Sequence, residues 1–211
     1  MSAAPQLAVV DTGSGNLRSV EKALATAGAR ATISSDPEVI ARADKIVVPG
    51  QGAFGGCVAG LERGGGALKQ VVLEAIKKGT PYLGICLGLQ ILFEGSEEDP
   101  SCQGLGVLPG KVVRFAVKPP LKIPHMGWNA CVRGAAAARS AALRDTPEGS
   151  WFYFVHSYFP APANESDIAL SAEHGERFCA AVARDNVVAT QFHPEKSQQA
   201  GLSLLSRFIN G

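Results

Sequence analysis

Residues 81–93, Pro-Tyr-Leu-Gly-Ile-Cys-Leu-Gly-Leu-Gln-Ile-Leu-Phe, constrain the fold more than any other stretch of the chain. Tyr82 to Ile85 is a short apolar run suited to a fully buried parallel strand, and from Leu87 onward apolar residues recur at helical spacing. Cys86 therefore falls at an abrupt strand-to-helix junction. So sharp a reversal leaves no space for side chains beside the turning residue, which accounts for Gly84 and Gly88, each two positions away. A thiol at the start of a helix meets unpaired backbone N–H groups and the positive end of the helix dipole, both of which favour the thiolate. Free cysteines are more often small apolar core residues, so reading Cys86 as a nucleophile requires a base elsewhere in the chain.

Up to this junction the sequence alternates strand and helix. Leu7 to Val10 reads as a buried strand, and Leu17, Val20, Leu24 and Ala27 share one helical face, with Gly28 as the stop. Ala31 to Ser34 is a second strand. Asp36 is an N-cap with Pro37 at the first helical position, opening a short helix to Ala43. Lys45 to Val48 is a third strand, and Ala67 to Lys78 an amphipathic helix ended by Gly79. Such alternation implies a parallel sheet covered on both faces, with ligands bound beyond the carboxyl ends of its strands.

The loop Asp11-Thr12-Gly13-Ser14-Gly15-Asn16 lacks the third glycine, and the Gly-Lys-Ser/Thr, of a nucleotide-binding turn, so no nucleotide site is assigned to it. Pro49 to Gly56 carries more glycine than an ordinary turn needs, and its backbone N–H groups are read as donors to an oxyanion. Both loops and Cys86 lie at strand ends and converge on one crevice.

Beyond Cys86 the grammar changes. Gly95 to Gly110 reads as a long polar, glycine-rich rim loop. Lys111–Phe115, Ser150–Ser157, Asp167–Ala172, Phe178–Arg184 and Val187–Phe192 read as strands, the last two joined as a hairpin through Asp185-Asn186. Gly134 to Arg144 is alanine-rich, a short helix or variable loop without evident chemistry, and Ala200 to Ile209 is the last helix. The expectation is one α/β domain over residues 1–211, a mostly parallel or mixed sheet flanked by helices, with antiparallel C-terminal additions.

Val187 to Phe192 ends in His193-Pro194-Glu195-Lys196. Proline at 194 forces His193 into an extended conformation, in which His193 and Glu195 would project to the same side. A carboxylate beside an imidazole fixes its tautomer and stabilises the imidazolium. Cys86, His193 and Glu195 thus supply nucleophile, base and orienting group. Taken singly, His193 is equally a satisfied strand-end histidine and Glu195 a neighbour of the last helix's N-terminus; their value lies in combination with Gly84-x-Cys86-x-Gly88. Of the other histidines, His174 reads as a solvated turn residue, whereas His125 and His156 sit in unusual aromatic and proline-rich surroundings.

Electrostatics offers no further function class. Lys and Arg number 20 against 19 Asp and Glu, giving a net charge of +1, which is no footprint for nucleic acid or membrane. The five cysteines, Cys57, Cys86, Cys102, Cys131 and Cys179, are odd in number and contain no Cys-x-x-Cys pair. Neither a disulfide framework nor a metal site is expected. Met1 to Gln6 shows no basic segment leading into an apolar one, and no apolar run reaches membrane-spanning length, so a cytoplasmic protein with reduced thiols is expected.

Gly84-Ile85-Cys86-Leu87-Gly88-Leu89-Gln90 together with His193-Pro194-Glu195 resembles the class I (triad) glutamine amidotransferases. Within them the chain is similar, from end to end, to the glutaminase subunits of histidine biosynthesis. That likeness rests on residues 11–20, Pro49 to Phe54, Pro124-His125-Met126-Gly127-Trp128-Asn129 and Phe154 to Tyr158. Departures are modest: Thr12 stands where the family usually has Tyr, Gln51 where it has Val and Leu89 where it has Met. Gln51 lies in the loop expected to build the oxyanion hole.

The resemblance implies that Cys86 attacks the side-chain amide of glutamine, that His193 protonates the departing ammonia, and that a γ-glutamyl thioester is then hydrolysed. It places Gly52 and Leu87 at the oxyanion hole. It puts Gly50, Gln90, Glu98, His156, Ser157 and Tyr158 at the glutamine pocket, with Glu98 suited to the α-ammonium group. No cofactor is implied. The partner would be a separate cyclase subunit, a (β/α)8 barrel, with Asn16, Met126, Trp128 and Lys196 as candidates for that contact or for gating ammonia; Trp128 is equally a candidate for the core. Two alternatives remain at this point: a glutaminase serving aromatic amino-acid, pyrimidine, purine or vitamin synthesis, and a non-catalytic partner-binding domain of the same fold.

Overall fold

The computed structural model describes residues 5–211, so the part of the N-terminal reading that falls on Met1 to Ala4 lies outside the described residues. Strands β1 (Gln6–Val10), β2 (Arg30–Ser34), β3 (Lys45–Gly50) and β4 (Tyr82–Cys86) are linked by helices α1 (Leu17–Thr26), α2 (Pro37–Ala41), α3 (Phe54–Glu62) and α4 (Ala67–Lys77). After the one-turn helix α5 (Leu87–Gln90) come β5 (Gly95–Ser96), β6 (Asp99–Gln103), β7 (Gly110–Arg114), β8 (His125–Arg133), β9 (Ser150–His156) and β10 (Tyr158–Pro162). Strands β11 (Ile168–Glu173), β12 (Arg177–Arg184) and β13 (Val187–Thr190) precede the terminal helix α6 (Gln198–Asn210).

The main sheet has nine strands in the order β2-β1-β3-β4-β13-β12-β11-β8-β9. Its first five are mutually parallel and the rest antiparallel. A four-stranded sheet, β10-β7-β5-β6, lies beside it.

Period-two alternation divides the strand side chains between two cores. Leu7, Val9, Val47, Leu83 and Ile85 pack with Val20 and Leu24 of α1 and with Leu204, Leu205 and Phe208 of α6. Ala8, Val10, Ile46, Val48 and Tyr82 pack on the other face with Ile40, Phe54, Val58, Leu61, Leu68 and Val72 of α2, α3 and α4. The sheet is thus buried on both sides, and β4 lies at its centre, between β3 and β13. Its carboxyl end is the platform for Cys86.

The α/β alternation up to Cys86 matches the sequence reading, with four corrections. The loop after β3 is shorter than Pro49 to Gly56, because β3 runs to Gly50 and α3 begins at Phe54. Two glycines in its first turn hide that helix from propensity, while burial of Phe54, Val58 and Leu61 stabilises it. Gly95 to Gly110 is no open rim loop: it contains β5 and β6, paired as a tight hairpin. Strands β8 and β10 were not expected, since glycine, proline and asparagine interrupt their alternation. Finally, α5 stops after one turn; the residues that follow Gln90 are apolar because they are buried, not because they extend a helix.

Candidate active site

Cys86 sits at the end of β4 with φ 56° and ψ −104°, a left-handed conformation that costs a residue with a Cβ of order 1–3 kcal/mol. The surroundings hold it there. A side chain at Gly88 would collide with the Val48 carbonyl, and one at Gly84 with the Gly88 carbonyl. Tyr82 closes the elbow by donating its hydroxyl to the Gly88 carbonyl at 2.7 Å, fully buried. The strained residue and its two flanking glycines therefore form one packing unit, as the Gly-x-Cys-x-Gly spacing leads one to expect.

Cys86 opens into a pocket of about 450 Å³. His193, Gly52, Leu87, Gln90, Glu98, His156, Ser157, Tyr158 and Lys196 all contribute to its wall, as do Gln51, Pro124, Tyr153 and Val155. Of the expected site residues, Gly50, Glu195, Asn16, Met126 and Trp128 are not among the lining residues. Gly50 is buried at the end of β3, where a Cβ would come within 2.7 Å of the Leu87 Cβ, so its smallness serves the packing of α5. Glu195 stands behind His193 instead of in the wall.

The His193 ring is gripped from several directions. Its Nδ1 is 2.8 Å from Glu195 Oε1, and both side chains are 1% exposed. The backbone N–H donates to Tyr153 O at 2.9 Å, and the carbonyl accepts from Ser197 Oγ. Nε2 is buried, has no hydrogen-bond partner among the described residues, and belongs to the ring that shares the pocket wall with Cys86. Burial alone would push the imidazole's pKa down. The charge of the neighbouring Cys86, together with the hydrogen bond and charge of Glu195, outweighs burial and raises it to about 9, so the imidazolium dominates at neutral pH.

A second set of polar groups secures the thiol. Gln191, fully buried, points Nε2 at Cys86 Sγ at 3.6 Å, and its Oε1 accepts from Gln90 Nε2 at 3.0 Å. Gln90 Nε2 also donates to Tyr158 O at 2.9 Å. Gln191 was not anticipated from the sequence. Its one signal is its place two residues before His193, where alternation along the chain end aims both side chains toward the same side.

Histidines 125 and 156 form a fixed relay, with His156 in the pocket wall and His125 beyond it. Tyr158 O can only accept, so His156 Nδ1, 3.0 Å away, is the donor. His156 Nε2 then accepts from His125 Nδ1 at 3.1 Å, and His125 Nε2 accepts from Asn129 Nδ2 at 3.2 Å. Each ring has one donor and one acceptor nitrogen and is neutral. Burial pushes His125 down to about 4, helped by the charge of His174, and His156 to about 3. His174 is not merely solvated: its ring packs 4.4 Å from that of His125 and its Nε2 reaches Lys122 O.

Gly52 and Leu87, the oxyanion donors expected from the sequence, both line the pocket that Cys86 shares. Gly52 adopts φ +100°, accessible to glycine at little cost, and Leu87 is the first residue of α5. Glu98, at the tip of the β5–β6 hairpin, accepts from the Phe54 N–H through Oε2 at 2.7 Å. Among the described residues no cluster of three or more His, Cys, Asp or Glu is arranged to hold a metal ion.

The chain is similar to known proteins over nearly its whole length. The model of the family "Glutamine amidotransferase class-I" matches residues 8–210. The imidazole glycerol phosphate synthase subunit HisH of Geobacter sulfurreducens is 46% identical over 208 residues, covering 96% of this chain and 97% of that protein. HisH of Syntrophotalea carbinolica is 48% identical, covering 96% and 98%. Among solved structures, PurLQS from Thermotoga maritima superposes with a TM-score of 0.71 at 18% identity, covering 99% of both chains. The glutaminase domain of Trypanosoma brucei CTPS gives 0.64 at 18%, covering 98% of this chain and 94% of that one; at such identities these two show the shared fold. With its elbow cysteine, its histidine–glutamate pair and a family match over nearly its whole length, the chain belongs to the class-I glutamine amidotransferases.

Proposed function

We propose that this chain is the glutaminase subunit of an imidazole glycerol phosphate synthase. The observation that carries the reading is the meeting, in one pocket, of Cys86 in a strained elbow with a His193 whose far nitrogen is held by Glu195.

The chemistry follows from the groups. The Cys86 thiolate attacks the side-chain carbonyl carbon of glutamine, and the carbonyl oxygen becomes an oxyanion. The N–H groups of Gly52 and Leu87 are the donors assigned to it, each worth roughly 3 kcal/mol of barrier. The imidazolium of His193 gives its proton to the departing nitrogen, and ammonia leaves a γ-glutamyl thioester. Neutral His193 then takes a proton from water as that water attacks the thioester, releasing glutamate and regenerating Cys86. Glu195 keeps the His193 tautomer and stabilises its charge in both steps. Gln90, Glu98, His156, Ser157 and Tyr158 would hold the substrate, with Glu98 facing its α-ammonium group.

Ammonia released into neutral water becomes ammonium, which is no nucleophile, so the product is useful only when passed directly to an acceptor. We assign that acceptor to a cyclase subunit, a (β/α)8 barrel. It converts a phosphoribulosyl-formimino aminoimidazole carboxamide ribonucleotide to imidazole glycerol phosphate and aminoimidazole carboxamide ribonucleotide. The outer face of β8–β9 supports the docking. Met126 is 63% exposed and Trp128 42%, and their cross-strand partners Val155 and Tyr153 line the pocket. Asn16 and Lys196 are the polar candidates for the same contact. All five cysteines are free, in keeping with work in the cytoplasm. The deciding assay is glutamine hydrolysis with and without the cyclase and its nucleotide. Slow turnover alone and a large rise in the complex are expected; fast turnover alone, or no rise, would overturn the reading.

A further inference from the structure

Glu98 makes one contact that a substrate-binding carboxylate does not need. Helix α3 begins without a side-chain cap, since its N-cap residue is Ala53, yet its first amide, Phe54 N–H, is satisfied by Glu98 Oε2 at 2.7 Å. A carboxylate at that position meets both the orphan amide and the positive end of the helix dipole. The residues just before Phe54 are Gln51, Gly52 and Ala53, the short loop assigned to the oxyanion.

The post that carries Glu98 is stiff. Glu98 N–H donates to Ser96 Oγ at 3.1 Å, Glu97 N–H donates to Val112 O at 2.9 Å, and the Glu97 carboxylate accepts from Arg114 N–H at 2.8 Å. The two-residue turn between β5 and β6 is thus tied to β7. Glu98 also lines the pocket, and its Oε1 accepts no hydrogen bond from the described residues. One oxygen is committed to α3 and the other is open to a ligand.

We infer that Glu98 is a positioning residue, a bridge through which an α-ammonium group bound at Oε1 steadies the Gln51–Ala53 loop by way of the Phe54 amide. This rests on the glutaminase reading and deepens it. Substrate occupancy and oxyanion-loop geometry become one equilibrium, so that glutamine helps to set the loop that stabilises its own transition state.

The test uses the complex with the cyclase and two substrates, glutamine and glutaramate, which is glutamine without its α-amino group. Glu98→Ala is expected to lower kcat on glutaramate about tenfold, the worth of one charge-assisted hydrogen bond. Glu98→Gln, whose amide oxygen still accepts from Phe54, should keep most of that turnover while raising KM for glutamine.

Equal glutaramate turnover in wild type and Glu98→Ala would overturn the bridge. Amide exchange at Phe54 in Cys86→Ala gives an independent reading: glutamine should slow it, and unchanged exchange on saturation also overturns the bridge. A wild-type complex inert toward glutamine would instead refute the glutaminase reading itself.

Discussion

The imidazole of His193 and the carboxylate of Glu195 meet at 2.8 Å although only Pro194 lies between them. Extended chain would set both side chains on one side, but the chain is not extended past His193. Residues Pro194–Lys196 form a single 3-10 turn, with Pro194 at its first position and His193, at φ −96° and ψ 99°, as its N-cap. Proline's missing N–H and fixed φ suit it to start such a turn. The turn curls Glu195 back toward the ring it must orient, and Ser197 Oγ locks the arrangement by donating to His193 O while accepting from Tyr153 N–H.

Glu195→Gln retains the shape of this contact but removes its charge. The imidazolium loses its buried counter-charge, and glutamine-dependent turnover should fall at least about a hundredfold. Ammonia-dependent synthesis by the complex should be unchanged. Equal loss of both would place Glu195 in the scaffold instead of the reaction.

Cys86→Ala is expected to abolish glutamine-dependent synthesis and spare the ammonia-dependent reaction. The same position tests the elbow. Cys86→Gly removes the left-handed strain and should be more stable than Cys86→Ala by about 1 kcal/mol in urea unfolding. The alanine variant proving the more stable would mean that the backbone at residue 86 is unstrained.

Much of this site was legible because its logic is local. Gly84, Cys86 and Gly88 encode the elbow within five residues, and Pro194 marks the turn that carries the base. What escaped the sequence depends on packing between distant segments. Helix α3 is concealed by its glycines and held by contacts with the sheet and with Glu98, 44 residues away from Phe54. Gln191 meets Cys86 across 105 residues of chain, and the three-histidine cluster exists only once β8 and β9 pair, bringing His125 opposite His156. Nor does the sequence show that Gly50 admits Leu87, a contact made only when α5 packs against the end of β3.

The outer face of β8–β9 presents Met126, Trp128, Val132 and Trp151, the last three between 42% and 58% exposed. Trp128 is therefore not a core residue. Trp128→Ala should leave the unfolding midpoint nearly unchanged and weaken association with the cyclase by at least about tenfold, as loss of a central aromatic anchor does. Titration calorimetry separates the two effects. A destabilised chain with unaltered affinity would mean that the indole serves the fold.

Acid should unfold the chain through its neutral imidazoles. His125 and His156 are held at about 4 and about 3, whereas in the unfolded chain both titrate near 6.5. A histidine with a lowered folded pKa contributes fully above 6.5, and that contribution drains away as pH falls toward the folded value. Between pH 7 and pH 5 the pair should cost on the order of 3 kcal/mol, after allowing for the opposite sign of His193. Urea midpoints at the two pH values measure it, and His125→Phe should make the dependence shallower. Equal midpoints would show that the two rings are not held neutral.

His193 sets the alkaline limit. Burial disfavours its charge, but Cys86 and Glu195 outweigh that and raise it to about 9. Because the folded value exceeds the unfolded one, its stabilisation is complete below about 6.5 and is lost as pH rises through about 9. The reaction follows the same proton, since only the imidazolium can protonate the departing nitrogen. The kcat/KM of the complex for glutamine, which covers the steps up to ammonia release, should therefore hold through neutral pH and fall tenfold per pH unit above about 9. Glu195→Gln removes one of the two groups that oppose burial, so the surviving activity should lose its alkaline limb at lower pH, displaced by about 1. A displaced limb identifies the titrating group as the ring that Glu195 faces, which a change in kcat alone cannot do. A limb still at about 9 in that variant would mean that the proton needed for catalysis resides on some other group.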